Sequence, residues 1–162
     1  MATKEEIKMQ YVNLGRSGLK VSRLSFGTMT DGQEDEDAQK KADALVKLAW
    51  DNGINFFDTA EFYDYGKAER KLGISLRALN VPRSDYVVST KIFFGDFPEN
   101  TTKVNNLGTS RKRLIEGLNR SLENLKFDYV DVLFCHRYDE DTPTIETVQA
   151  IKEILASGKA LY

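Results

Sequence analysis

The chain has 162 residues, 41% apolar and 30% charged, with a net charge of −2, a profile that fits one soluble globular domain and argues against collagen-like, disordered, coiled-coil and membrane classes. Its longest apolar runs, such as residues 130–135 with Asp131 inside, fall far short of the roughly 18 residues of a membrane span. Near-balanced charge argues against a nucleic-acid binder, and a single cysteine behind an N-terminus with no signal-like apolar stretch makes a reducing cytoplasm the expected compartment.

Residues 1–8 read as an N-terminal extension. Two alternating runs, residues 9–14 and 19–22, flank the turn Gly15-Arg-Ser-Gly18 and predict a β-hairpin. Residues 23–28 (RLSFGT) predict a strand, followed by a polar loop over residues 31–36. Ala42, Leu45, Val46 and Ala49, at i, i+3, i+4 and i+7, predict the buried face of a helix that ends near Asn52-Gly53. Residues 54–58 (INFFD) predict the next strand. A helix over residues 67–79 turns Ala68, Leu72, Ser75, Leu76 and Leu79 inward, and residues 86–91 (YVVSTK) form a β-rich run. The loop at residues 92–109 is long enough to suggest function or motion. It leads into a helix over residues 110–125 with Leu114, Leu118, Leu122 and Leu125 in phase. Residues 129–134 predict a fourth strand. Thr142-Pro143 reads as a cap followed by proline at the first helical position, Val148, Ile151 and Leu155 mark a helix that stops at Gly158, and residues 159–162 begin a fifth strand.

Strands that recur along the chain, each followed by a helix, make a right-handed βα alternation. Either an open doubly wound sheet or a (β/α)8 TIM barrel would satisfy it. The open sheet expects a G-x-G-x-x-G turn after its first strand, which residues 27–32 (GTMTDG) do not supply. The α/β barrel is therefore the expected fold. Barrels of this kind run to about 250 residues, so residues 9–162 account for about the first half of one, with the hairpin plugging the barrel floor.

Catalytic groups of a barrel sit where strands end and βα loops begin. The polar residues at those places are Thr28 and Met29 after strand one, Asp58, Glu61 and Tyr63 after strand two, Lys91 at the end of strand three, and His136 and Arg137 after strand four. A tyrosine, with an ordinary pKa near 10, donates a proton poorly at neutral pH, and an ammonium beside it favours the phenolate. An aspartate would orient the lysine, and an imidazole could bind a carbonyl oxygen. Such a set stabilises negative charge on a carbonyl oxygen without nucleophile or metal. It supplies no hydride, which implies a nicotinamide cofactor.

The runs Phe57-Asp-Thr-Ala-Glu-Phe-Tyr63, Gly66-Lys-Ala-Glu69, Ser89-Thr-Lys91 and Tyr129-Val-Asp-Val-Leu-Phe-Cys-His-Arg137 resemble the signatures of the aldo-keto reductases. The opening YVNLGRSGLKVSRLSFGT, the segment KIFFG, and Thr142-Pro143 with Glu146-Thr147-Val148 resemble the branch that contains the voltage-gated potassium channel β subunits. The resemblance extends from Met9 to Tyr162. It implies NADPH-dependent reduction of an aldehyde or ketone, with Tyr63 as general acid, Lys91 as its partner, Asp58 binding Lys91 and His136 orienting the carbonyl. It also implies that Thr28, Met29, Gln33 and Asp58 contribute to holding NADPH. The channel β subunits carry asparagine in place of His136 and tryptophan in place of Met29, so His136 favours the reductase role and leaves channel association open. A catalytically silent structural or regulatory subunit is the alternative implied by the same resemblance.

The family's cofactor phosphates are held by late barrel loops that these residues do not include. Three readings follow: a piece of a full-length reductase, a truncated homologue that assembles with another chain, or a half-barrel completed by self-association. The small carbonyl substrate is expected in each catalytic case, with neither nucleic acid nor membrane insertion. Cys135 reads as a structural thiol, one histidine and one cysteine do not make a metal site, Arg111-Lys-Arg113 reads as a solvated face, and Trp50, Phe56 and Phe57 read as core.

Overall fold

The computed structural model describes residues 8–29, 37–95 and 104–162. Residues 1–7 of the expected 1–8 extension, the polar loop with Gln33 and part of the 92–109 loop lie outside them. The chain opens with the hairpin β1 (Tyr11–Asn13) and β2 (Lys20–Ser22), paired antiparallel. There follow β3 (Phe26–Gly27), α1 (Ala38–Asp51), β4 (Phe56–Asp58), α2 (Lys67–Ala78), β5 (Val87–Ile92), α3 (Arg111–Leu125), β6 (Val132–Cys135) and α4 (Thr144–Ala156). Strands β3, β4, β5 and β6 lie side by side in chain order and pair in parallel. The expected fifth strand begins over the last residues: Ala160 bridges Val130 in parallel, the Leu133 amide donates to the Tyr162 carbonyl at 2.9 Å, and the Tyr162 amide donates to the Asp131 carbonyl at 2.8 Å. Sequential parallel βα units are the winding of a barrel, here with an open sheet among the described residues.

The period-2 rule sorts the strand residues onto two faces. Phe57, Val88, Ile92, Leu133 and Cys135 face the helices and pack with Leu72, Leu76, Leu114, Leu118, Leu125, Ala150 and Ile154 in the main core. Phe56, Val87 and Val132, each the first residue of its strand, meet Leu14, Leu19 and Val21 of the hairpin. The hairpin therefore closes the N-terminal end of the sheet, as expected of a barrel floor. Ser22 and Asn55 lock it there, the Ser22 amide donating to Asn55 Oδ1 at 2.7 Å and the Asn55 amide to Ser22 Oγ at 3.1 Å.

Consecutive helices pack side by side, α1 on α2, α2 on α3 and α3 on α4. The core positions of α2 and α3 are those the spacing predicts, and Ser110 caps α3 by accepting from the Arg113 amide. Two helix faces are displaced. In α1 the buried side chains are Val46 and Ala49, with Leu45 half exposed; in α4 they are Ala150 and Ile154, with Val148 and Leu155 toward solvent. Both helices carry two adjacent apolar stripes, and the docking of the whole helix selects which one is buried. Proline also sits one residue earlier than expected: Pro143 is the N-cap of α4, and the Thr142 hydroxyl donates to Asp139 instead of capping the helix.

Close approach of α2 to α3 depends on Gly73, where a β-carbon would run into the Leu125 carbonyl at the end of α3. Gly73→Ala should lower stability by about 1–3 kcal/mol, the usual range for forced overpacking, measured by urea unfolding. Gly18→Ala, in open space, should leave it within experimental error.

Candidate functional site

The face of the sheet away from the helices carries Asp58, Ser89, Lys91 and Phe134, and the parallel register aligns Asp58 with Ser89 and Lys91 with Phe134. Lys91 thus projects just beyond the carboxylate of the neighbouring strand. Its Nζ donates to Asp58 Oδ2 at 2.6 Å, to the Thr59 carbonyl at 2.8 Å and to the Tyr63 hydroxyl at 3.2 Å. An ammonium has three N–H donors, so each is committed. Ser89 Oγ donates to the other oxygen of Asp58 at 2.6 Å, which fixes the carboxylate plane. The Lys91 side chain is 15% exposed and that of Asp58 27%, so solvent screens the pair only in part.

Tyr63 reaches this point from a strained turn. Asp64 and Tyr65 both have φ of 50°, and Gly66 follows at 79°, three successive residues in the left-handed region that only glycine occupies at little cost. Asp64 is held by an ion pair to Lys71 at 3.0 Å. The turn reverses the chain sharply, so Tyr63 faces the strand ends while α2 runs back along the sheet.

His136 follows β6, its amide donating to the Ile92 carbonyl at 3.1 Å. Its ring lies 6.0 Å from that of Tyr63 and 5.3 Å from that of Phe94, both edge-on. Burial pushes its pKa below the usual 6.5, the charges of Lys91 and Arg137 push the same way, and Asp58 opposes them. Its Nδ1 is buried with no hydrogen-bond partner among the described residues. A cleft of about 480 Å³ opens beside it, walled by Cys135, Arg137, Tyr138, Thr109 and Thr147. Burial also pushes the Cys135 thiol upward.

The structure therefore brings Asp58, Tyr63, Lys91 and His136 together. Thr28 stands beside them, its hydroxyl donating to Thr59 Oγ1 at 2.8 Å and its amide to the Asp58 carbonyl at 3.0 Å. Met29 is 76% exposed, and Gln33 lies outside the described residues.

Two features were not legible in the spacing. Arg113, expected on a solvated face, is buried and paired with Glu61, both side chains being 4% exposed; Arg111 and Lys112 do lie near solvent, paired with Glu153 and Glu116. Removing one partner of such a buried pair costs about 3–5 kcal/mol, because the other is left uncompensated. The available sequence signal was the stripe Arg113, Gly117 and Ser121, whose small members leave room beside the long one. Glu69, on the helix side of β5, accepts from Thr90 Oγ1 at 2.7 Å and Asn124 Nδ2 at 2.9 Å. Its burial raises the carboxyl pKa against the pull of these hydrogen bonds.

Parallel βα units define a barrel-type α/β protein, and an acid, an amine, a phenol and an imidazole gather at its strand ends. The Aldo/keto reductase family profile matches residues 23–162, and the chain belongs to that family. It is 47% identical over 95% of its length to a probable voltage-gated potassium channel subunit beta of Arabidopsis thaliana, covering 45% of that protein. The corresponding protein of Oryza sativa is 48% identical over the same share of the chain, again with 45% of it covered. A putative voltage-gated potassium channel subunit beta of Schizosaccharomyces pombe is 47% identical over 92% of the chain and is covered to 42%. The chain thus spans about half the length of the curated relatives it matches. Among the described residues, no helix is long and apolar enough to cross a membrane.

His136 is the chain's single histidine, so its imidazole signals in proton NMR are unambiguous. Its titration midpoint should fall below 6.5 and move upward in Arg137→Gln, which removes one of the charges opposing protonation. At the cleft wall, Asp139 accepts from the Thr109 amide and Thr142 Oγ1, both at 2.7 Å, and from the Asp141 amide at 3.1 Å. The Thr142 bond, then the Thr109 amide, hold its carboxyl below the usual 3.8. A carboxyl depressed on folding stabilises the fold fully above its unfolded pKa and loses that contribution as pH falls through the folded value. Asp139→Asn should therefore weaken the pH dependence of stability below about pH 4, read from urea midpoints across that range.

Proposed function

We propose that the chain contributes the proton-donor side of an NADPH-dependent reductase of aldehydes and ketones. The observation that carries this reading is the Lys91 ammonium held between Asp58 and the Tyr63 hydroxyl beside the imidazole of His136. Tyr63 would give its proton to the developing alkoxide. Lys91, fixed by Asp58 and Thr59, stabilises the phenolate left behind. His136, whose lowered pKa favours neutral imidazole at pH 7, orients the carbonyl oxygen by hydrogen bonding. The cleft next to His136 would receive the remainder of the substrate.

The donor set fits a nicotinamide cofactor, since it offers protons and hydrogen bonds and contains no hydride source. On the sequence resemblance, Thr28, Met29, Gln33 and Asp58 would hold the nicotinamide end. When bound, the reduced nicotinamide supplies the hydride.

A second reading is favoured by the relatives' names: a regulatory or structural subunit of a larger assembly. Purified chain with NADPH and a reactive aromatic aldehyde should lose reduced-nicotinamide absorbance, and Tyr63→Phe should slow this by about 100-fold or more, the scale of a lost general acid. Full activity in that variant would remove Tyr63 from the role. Folded, cofactor-binding material without turnover would favour the subunit reading, and native mass would then report the assembly.

A further inference from the structure

We propose that Glu61 is a positioning residue that ties the Tyr63 turn to the loop after β5, with Arg113 holding it in place; the inference rests on the reductase reading of Tyr63. Glu61 lies two residues before Tyr63, and its carboxylate is divided between two tasks. Oε1 accepts from the Phe93 amide at 2.7 Å and the Gly95 amide at 3.0 Å. Oε2 pairs with the Arg113 guanidinium, whose Nε in turn donates to the Asn106 carbonyl at 3.1 Å. Gly117, one turn along α3, makes the room: a β-carbon there would run into Arg113 and Ile92.

The placement matters because the catalytic groups arrive on separate loops. Lys91 belongs to the rigid strand and Tyr63 to a strained turn, so their 3.2 Å contact depends on what holds the turn against the end of β5. The backbone supplies two bonds, from the Thr59 amide to the Ser89 carbonyl at 3.0 Å and, nearer the turn, a longer one from the Glu61 amide to the Lys91 carbonyl at 3.3 Å. The Glu61 side chain adds two amides just beyond Lys91. Those amides bracket Phe94, whose ring packs against Phe62 at 5.1 Å and His136 at 5.3 Å. One buried carboxylate therefore registers the loops of Tyr63, Lys91 and His136 against one another without touching a reacting atom. Sub-ångström to ångström misplacement of catalytic groups can cost about 100-fold in rate, which gives such a tie a kinetic consequence beyond stability.

Two double variants separate positioning from folding. Glu61→Gln with Arg113→Met removes both charges yet keeps an oxygen for the Phe93 and Gly95 amides. Glu61→Met with Arg113→Met removes both charges and the oxygen, and apolar replacement of a buried pair is often tolerated in stability. With thermal melting followed for both, the glutamine pair should keep kcat near wild type, whereas the methionine pair should lose about 10- to 100-fold in kcat with a much smaller change in aldehyde KM. The activity-independent signature is the His136 NMR midpoint, set by burial and by Lys91, Arg137 and Asp58. It should rise toward 6.5 in the methionine pair and stay at the wild-type value in the glutamine pair. Should the methionine pair fail to fold, Phe94→Ala, which leaves the ion pair intact, should raise the midpoint by itself. Equal behaviour of the two double variants, or an unmoved midpoint in Phe94→Ala, overturns the proposal. Wild-type chain that folds, binds NADPH and reduces no aldehyde favours the subunit reading, while the midpoint comparison still decides whether Glu61 registers these loops.

Discussion

The Lys91 ammonium is the point on which the site is organised. A charged group 15% exposed must satisfy its three donors with protein oxygens, and here these are a carboxylate from β4, the carbonyl of the next residue and the phenol of the following turn. The parallel register makes the arrangement possible. Strands that run the same way deliver their last residues to one end of the sheet, and the alternation of side chains puts Asp58, Ser89 and Lys91 on one face. The helix-facing residues between them, Val88 and Ile92, anchor that geometry in the core.

A second layer of buried polar groups supports the first from behind. Glu61 with Arg113, and Glu69 with Thr90 and Asn124, sit where β4 and β5 meet α2 and α3. Neither carboxylate faces the cleft, yet both contact the loop or strand that carries Lys91. Such groups contribute little net stability relative to an apolar core. Their value here is directional, since hydrogen bonds fix loop amides at set distances where apolar contacts would let them slide.

Much of this was legible in the sequence because its signals were local. The βα alternation, the hairpin and the phases of α2 and α3 follow from spacing, and the four polar residues at strand ends become neighbours once the strands are parallel. Leu45, Val148 and Leu155 were misplaced because α1 and α4 each carry two apolar stripes, and only the docking of whole helices selects one. Arg113 was misread for a related reason. Arg111, Lys112 and Arg113 look alike in sequence, but about 100° of rotation per residue points the third inward, to a glutamate far away along the chain. The stripe Arg113, Gly117 and Ser121 marks the face on which it is buried, but nothing periodic names the distant partner.

Length joins these observations. The chain supplies the four predicted proton-transfer residues within four parallel strands and the beginning of a fifth, against relatives about twice as long. The central claim is that the Lys91 ammonium, rather than the general surroundings, makes Tyr63 an effective proton donor. Chemical rescue tests it most directly: reduction of an aromatic aldehyde by Lys91→Ala, with NADPH and increasing concentrations of a small primary amine. The account predicts a defect that the amine partly restores in Lys91→Ala and leaves untouched in Tyr63→Phe. Undiminished turnover in Lys91→Ala, or equal rescue of both variants, would contradict it.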